Sequence, residues 1–306
     1  MGAGHHHHHH HQAAPAASHG TSFAIAVGLN LAFVVAEVTA GLISGSVALL
    51  ADAGHNLGDV LSLLLAWGAS VLAARPPSPR FTYGLKSSSI LAALANAALL
   101  WVALGAILIE TLRRIADPPP VAGPTMIAVA TIGIAVNCFS AVLFAKGRSR
   151  DLNVRAAFQH LLADAAVSAG VVVAGVLIVL TGRAWIDPVT SLIITGVIAL
   201  GSWSLLREAV RLGLLGVPAG IDDRAVREFL GGLPSVATVH DLHIWPMSTT
   251  ETALTAHLVI PSGHPGDAFL HDLAHDLEHR FGIGHATLQI ETAVDADCAL
   301  EAHASV

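Results

Sequence analysis

Residues 51–59 read Ala-Asp-Ala-Gly-His-Asn-Leu-Gly-Asp, which puts an imidazole and a carboxylate four positions apart inside a long apolar segment. The same spacing recurs at residues 159–164, which read Gln-His-Leu-Leu-Ala-Asp and also lie in an apolar segment. These are the only two histidines between residues 20 and 239, and each is followed four residues later by an aspartate. Positions i and i+4 lie on one face of a helix, so each pair directs both of its side chains the same way.

The segments around these pairs are long enough to cross a membrane. The chain is 54% hydrophobic and 12% charged, with a mean hydropathy of +0.66, which is too apolar for an ordinary soluble domain of this length. Residues 21–74 contain no Lys or Arg, and residues 41–46, Gly-Leu-Ile-Ser-Gly-Ser, divide them into two spans of roughly 20 or more residues. Four further apolar spans cover residues 88–109, 125–145, 156–181 and 188–206. The sequence therefore predicts a polytopic α-helical membrane protein with six transmembrane helices.

The Lys and Arg residues of the connecting loops predict the orientation in the membrane. Six spans put both termini on one side, where the loops hold nine basic residues, while the opposite loops hold three. The nine are Arg75, Arg80, Lys86, Lys146, Arg148, Arg150, Arg155, Arg207 and Arg211, and the three are Arg113, Arg114 and Arg183. Because basic loops stay in the cytoplasm, both termini are expected there.

From about residue 217 the pattern becomes that of a water-exposed domain. Residues 221–230 have the pattern of a capped amphipathic helix. Residues 236–245 and 250–260 alternate apolar and polar side chains as half-buried strands do. A second helix carries Leu270, Leu273, Leu277 and Phe281 at helical spacing, and residues 286–291 have the pattern of a final strand. This order predicts a small α+β domain.

These patterns divide the chain into four parts. They are a His-rich cytoplasmic N-terminal segment (1–20), a six-helix transmembrane domain (21–212), a cytoplasmic metal-binding domain (213–294) and a tail (295–306). The N-terminal segment is polar rather than a basic region before an apolar core, so no cleavable signal peptide is expected.

Charge and cysteine content exclude several classes of function. The net charge of −7 comes largely from the C-terminal third, and no basic patch suggests nucleic acid. Two cysteines, Cys138 and Cys298, exclude a framework of disulfides.

The two His–Asp pairs predict a metal site inside the membrane. A carboxylate at mid-membrane costs about 2.5–3.5 kcal/mol on insertion scales, so these aspartates need a reason to be there. Side by side, the two helices supply two nitrogens and two oxygens to one tetrahedral ion, a coordination that zinc accepts. The predicted ligands are His55, Asp59, His160 and Asp164. The simpler alternative is a His–Asp hydrogen bond that clamps two helices together.

Three features together resemble the cation diffusion facilitator family, specifically its bacterial zinc-transporter branch. They are residues 46–55 (Ser-Val-Ala-Leu-Leu-Ala-Asp-Ala-Gly-His), the second His-x-x-x-Asp in the fifth span and residues 239–245 (Val-His-Asp-Leu-His-Ile-Trp). The resemblance covers roughly residues 23–298. It implies six transmembrane helices, a ferredoxin-like cytoplasmic domain, a homodimer in the lipid bilayer of the bacterial inner membrane, and export of divalent zinc in exchange for protons.

The resemblance also selects ligands for a cytoplasmic zinc site that regulates transport. These are His240, His257, His285 and Glu291. Of these, the two strand histidines are expected on adjacent strands, while His285 comes just before the last strand. Hydrogen bonding within the sheet is the alternative role of the strand histidines. Residues 75–86 contain no acid or histidine, so they offer no ligands for the family's further site in the loop after the second span.

Other polar residues have more than one interpretation. Glu37 and Asp52 either orient a ligand or line an aqueous path, and Asp52 otherwise lies at the outer interface. His271, His275 and His279 fall at i, i+4 and i+8, for which a solvated helix face is the simpler interpretation. Cys298 and His303 are further potential ligands in the tail, and the seven histidines of residues 5–11 are either an expression tag or a native metal-collecting segment.

Two other classes of function remain for comparison. An intramembrane metalloenzyme keeps an open metal position beside a general base, as in His-Glu-x-x-His, and that motif is absent from the sequence. A metal sensor that does not transport needs only the cytoplasmic domain, which leaves the intramembrane pairs unexplained. The sequence therefore favours a transporter rather than an enzyme.

Overall fold

The computed structural model describes residues 20–145 and 152–292, except for the side chains of residues 20–26, 62–63, 66–67, 70, 143–145 and 152–160. The seven-histidine run, Cys298 and His303 lie outside the described residues.

Six long helices account for most of the chain. They are α1 (Gly20–Ser44), α2 (Val47–Ala73), α3 (Ser88–Ala116), α4 (Gly123–Ala145), α5 (Leu152–Thr181) and α6 (Ile186–Gly213). Five of them, all but α2, contain a stretch of at least 18 residues that is apolar enough to cross a membrane. The remaining helix, α2, has 27 residues, which is long enough to cross a membrane, and it includes the residues 62–63, 66–67 and 70, whose side chains lie outside the described part of the chain. The prediction of six transmembrane helices is confirmed.

The turn between α1 and α2 follows from residues near its ends. Gly45 adopts a φ of +71°, in the left-handed region that favours glycine, so α1 stops there and the chain reverses. The start of α2 is capped by Asp187 from the first turn of α6, which accepts hydrogen bonds from Ser46 Oγ at 2.5 Å and from Val47 N at 2.8 Å. A carboxylate at a helix N-terminus meets unpaired N–H groups and the positive end of the helix dipole. This cap joins two helices that are 140 residues apart in sequence.

Close approach of helices depends on small residues. A methyl group added to Gly175 of α5 would lie 2.7 Å from the side chain of Ile127 in α4, which is too short for carbon atoms. Such contacts are typical of helices that pack in a membrane. Large apolar side chains such as Leu42, Ile43, Leu180 and Leu200 are strongly exposed and form the surface that lipid would cover.

The C-terminal domain has the predicted order of elements. Helix α7 (Asp223–Gly231) is followed by β1 (Thr238–Pro246), β2 (Thr252–Val259), α8 (Asp267–Phe281) and β3 (His285–Glu291). The central strand, β2, pairs antiparallel with β1 and parallel with β3. The return from β2 to β3 passes through α8, as a parallel connection requires. The prediction of a ferredoxin-like α+β domain is confirmed.

The core of this domain comes from one face of each element. Residues from both helices and from β1 and β2 meet in one buried cluster, which includes Val226, Leu230, Leu254, Leu258, Leu273 and Leu277. Helix α7 begins where the sequence predicts, because Asp222 accepts hydrogen bonds from the backbone N–H groups of Arg224 and Ala225. Helix α8 ends at Gly282, which has a φ of +70°.

The chain separates into two compact units. One contains the residues up to Val60 and Leu104–Gly196, and the other contains Leu61–Ala103 and Val197–Val306. The second unit therefore holds the C-terminal domain together with one end of α2, α3 and α6. Inside it, Lys86 after α2 forms an ion pair with Glu251 of the β1–β2 turn, and Ser87 Oγ donates to the carbonyl of Met247 at 3.2 Å.

Candidate metal centres

The first candidate centre lies where α2 and α5 face each other. His55 Nε2 is 3.2 Å from Asp164 Oδ1 and 3.8 Å from Asp59 Oδ2. One ligand atom from each of the three residues lies within 4.8 Å of the other two. The carboxylate of Asp164 is almost fully buried, whereas His55 and Asp59 are partly accessible. Three of the four predicted intramembrane ligands therefore converge.

The fourth predicted ligand, His160, belongs to α5, four residues before Asp164. Its side chain lies outside the described residues. Its backbone lies one helical turn before Asp164 on α5.

Two hydrogen bonds flank the intramembrane cluster. Asn56, next to His55 in sequence, donates to Glu37 Oε2 of α1 at 3.1 Å. Ser168, one turn beyond Asp164, donates to Asp52 Oδ2 at 2.8 Å. Glu37 and Asp52 are both fully buried among the described residues. These bonds join α2 to α1 and α2 to α5 beside the ligands, where they restrict ligand orientation.

The second candidate centre lies across the sheet of the C-terminal domain. His240 of β1 is paired directly opposite His257 of β2, and their ring centroids are 5.2 Å apart. Glu291 of β3 reaches both rings, with Oε2 at 3.1 Å from His240 Nε2 and Oε1 at 2.9 Å from His257 Nδ1. Ligand atoms of the three residues lie within 4.8 Å of one another.

Comparison with known proteins identifies the family. Residues 23–212 match the family described as the cation efflux transmembrane domain, and residues 218–293 match the cation efflux protein cytoplasmic domain. The chain belongs to the cation diffusion facilitator family.

The facilitator has full-length relatives among bacterial metal transporters. It is 37% identical to the zinc transporter ZitB of Escherichia coli over 268 residues, which cover 87% of this chain and 85% of that protein. It is 34% identical to the metal cation efflux system protein CzcD of Cupriavidus metallidurans, over 100% of this chain and 96% of the relative. It is 32% identical to the cadmium, cobalt and zinc/H(+)-K(+) antiporter of Bacillus subtilis, over 85% of each chain. This facilitator is therefore an integral membrane protein of metal cation efflux and not an enzyme.

One predicted ligand of the cytoplasmic cluster, His285, lies elsewhere in this chain. His285 is the first residue of β3 and pairs with Ala253, whereas Glu291 is the last residue and pairs with Val259. At about 3.3 Å per residue, the two ends of the strand are roughly 20 Å apart. The His285 ring instead packs edge-on against Tyr83, with centroids 5.4 Å apart. The structure therefore separates His285 from His240, His257 and Glu291.

One neighbour of the cytoplasmic cluster was not predicted. Asp241 Oδ2 lies 3.5 Å from His257 Nε2, and Asp241 Oδ1 lies 2.9 Å from His243 Nε2. In a regular strand, Asp241 would point to the face opposite His240. The register shifts between His240 and His243, and Asp241 has a φ of 49°, which changes its direction. Alternation of apolar and polar residues gives no sign of such a bulge.

The electrostatics of the cytoplasmic cluster favour an ionised carboxylate. Burial alone would raise the pKa of Glu291, but the hydrogen bond and charge of His240, with smaller contributions from Gln289 and His257, lower this pKa below its ordinary value. Glu291 therefore offers an anionic oxygen at neutral pH, beside two imidazoles. This is a donor set that zinc accepts.

Proposed function

We propose that the protein exports zinc from the cytoplasm in exchange for protons, and that zinc binds between α2 and α5. The observation that carries the proposal is the approach of His55, Asp59 and Asp164 to within 4.8 Å of one another on two membrane helices. His160, at the i−4 position of Asp164, is the fourth ligand by its place in the sequence. Two imidazole nitrogens and two carboxylate oxygens make a tetrahedral zinc site.

Proton exchange follows from the chemistry of this donor set. An imidazole binds a metal only when it is neutral, and a carboxylate binds best when it is ionised, so zinc and protons compete for the same atoms. Histidine ordinarily titrates near pH 6.5, so the competition takes place around neutral pH. Proton entry on the outer side then favours zinc release there, and zinc binding on the inner side displaces protons. No separate proton pathway is needed for this coupling.

The direction of transport rests on the arrangement of charges. Nine basic loop residues on one side of the membrane against three on the other favour a cytoplasmic location for both termini. In that orientation the C-terminal domain faces the cytoplasm. Efflux, the activity in the name of the relative CzcD, removes a cation from that compartment. We infer the bacterial inner membrane as the location.

The C-terminal domain acts as a regulator and as a dimer contact in this proposal. It lies outside the bilayer, so ions bound by His240, His257 and Glu291 are not the transported ions. Zinc bound there shifts transport only to the extent that it prefers one arrangement of the protein. The match of residues 218–293 to the cytoplasmic domain of cation efflux proteins supports a homodimer.

The test is zinc flux in proteoliposomes with and without an imposed pH gradient. The proposal expects flux that rises with a proton gradient directed against zinc movement, and acidification on the side from which zinc departs. A sensor or a metalloenzyme gives no flux under either condition. Flux that ignores the pH gradient and depends on potassium instead would retain transport but reject proton exchange.

A further inference from the structure

The outward face of α8 carries three histidines that neither metal cluster uses. Leu273 and Leu277 of this helix belong to the buried core of the domain. His271, His275 and His279 fall on the exposed side at successive helical turns. Because α8 buries its leucine face against the sheet, this histidine face is separate from the strand residues His240 and His257.

Two of these histidines, His275 and His279, lie one helical turn apart with their rings in contact. The rings of His275 and His279 have centroids 4.2 Å apart, with 57° between their planes. Both side chains are exposed, so a metal ion reaches them without any rearrangement of the core. An i, i+4 pair of histidines on one helix supplies two nitrogen ligands to a single ion, as it does in helical zinc sites.

The electrostatic surroundings favour a cation at this position. His279 lies in the last turn of α8, where the helix dipole is negative. Asp272, Asp276 and Glu278 lie on neighbouring positions of the same helix. Asp276 pairs with Arg280 at 3.6 Å, so the local acids are only partly neutralised. A bound divalent ion adds positive charge where the helix end and the adjacent carboxylates attract it.

We propose that His275 and His279 bind one divalent transition-metal ion, such as zinc, on the cytoplasmic surface of α8, as a site separate from His240, His257 and Glu291. Water completes the coordination, because only two protein nitrogens are close together. A site with two protein ligands binds more weakly than a three- or four-ligand cluster and exchanges faster, which suits collection of zinc at the surface.

The experiment counts the zinc ions bound by the full-length protein in detergent after deletion of residues 5–11, whose histidines would obscure the result. Isothermal titration is compared for the wild type, His275→Gln, His279→Gln and the double variant. We expect each variant to lose one weaker zinc per chain and to keep the tighter binding unchanged. The matched control is His264→Gln, which removes another exposed histidine of the same domain and is expected to lose none.

A spectroscopic measurement identifies the ligands directly. Copper(II) iminodiacetate, added to the same proteins, is expected to show an electron paramagnetic resonance signal with two equatorial imidazole nitrogens. The signal disappears in His275→Gln and His279→Gln and persists in His264→Gln. Equal zinc stoichiometry in all proteins, or an equal loss in His264→Gln, would overturn the proposal. Because the substituted side chains are exposed, an unchanged circular dichroism spectrum is expected and serves as the folding control.

Discussion

The two candidate metal clusters offer similar side chains on different scaffolds. In the membrane, the candidate ligands come from α2 and α5, and no backbone hydrogen bond joins the described residues of these two helices, so the spacing between His55 and Asp164 depends on side-chain packing. In the C-terminal domain, His240 and His257 lie opposite each other in a hydrogen-bonded ladder that fixes their separation. Helices slide and tilt at little cost, whereas strands keep their register. In the proposed function, the helix pair suits a transport site that opens to either side of the membrane in turn. The paired strands suit a regulatory site that responds to the zinc concentration on one side.

The largest effect is expected from removal of an intramembrane carboxylate. Asp59→Ala and Asp164→Ala each delete a carboxyl group of the proposed transport site. Loss of an outer-shell partner already costs about 10–100-fold in metal affinity, so loss of a ligand is expected to cost more. Zinc flux in proteoliposomes should fall to the background of empty vesicles, and zinc-dependent proton release should vanish.

The control for these variants is Thr131→Val, which removes a polar group from the exposed face of α4. It is expected to transport at the wild-type rate. The dimer, measured by size-exclusion chromatography with light scattering, should persist in all three variants. Undiminished zinc flux in Asp59→Ala or Asp164→Ala would mean that the intramembrane cluster is a structural clamp.

The elements that were predictable from the sequence are those whose pattern is local. The i, i+4 spacing brings His55 and Asp59 to one helix face, because it depends only on the helical repeat. His240 and His257 were selected by the family resemblance, and the strand pattern added only that they lie on adjacent strands. The cap of α2 by Asp187 was not predictable, because its partners are about 140 residues away. Asp241 was missed because a bulge breaks the alternation. His285 was misplaced because the family resemblance selected it, although a strand over residues 286–291 puts it roughly 20 Å from Glu291.

The selectivity between zinc and cadmium is expected to change at His55, with a smaller effect than the loss of transport in the aspartate variants. In the proposed transport site, His55 supplies a nitrogen. A nitrogen ligand at a short bond distance suits zinc, whereas an additional carboxylate accommodates a larger ion. His55→Asp is therefore expected to gain cadmium transport while it retains some zinc transport. The measurement is cadmium and zinc flux in the same vesicles. Equal cadmium flux in wild type and variant would show that selectivity arises at another residue.

The smallest effect is expected at the rigid cluster of the C-terminal domain. His240→Ala with His257→Ala removes both imidazoles and leaves Glu291 without its histidine partners, but it changes no residue of the membrane cluster. If zinc bound there only biases an equilibrium, its loss changes the zinc concentration for half-maximal transport and leaves the maximal rate mostly intact. Typical coupling between sites is about 1–3 kcal/mol, so we expect an increase of roughly fivefold or more in that concentration. His264→Ala, an exposed histidine of the same domain, is the matched control and should behave as wild type. A fall in the maximal rate with an unchanged zinc concentration for half-maximal transport would instead mean that His240 and His257 stabilise the domain. A lowered melting temperature of the variant in the absence of zinc would support that interpretation.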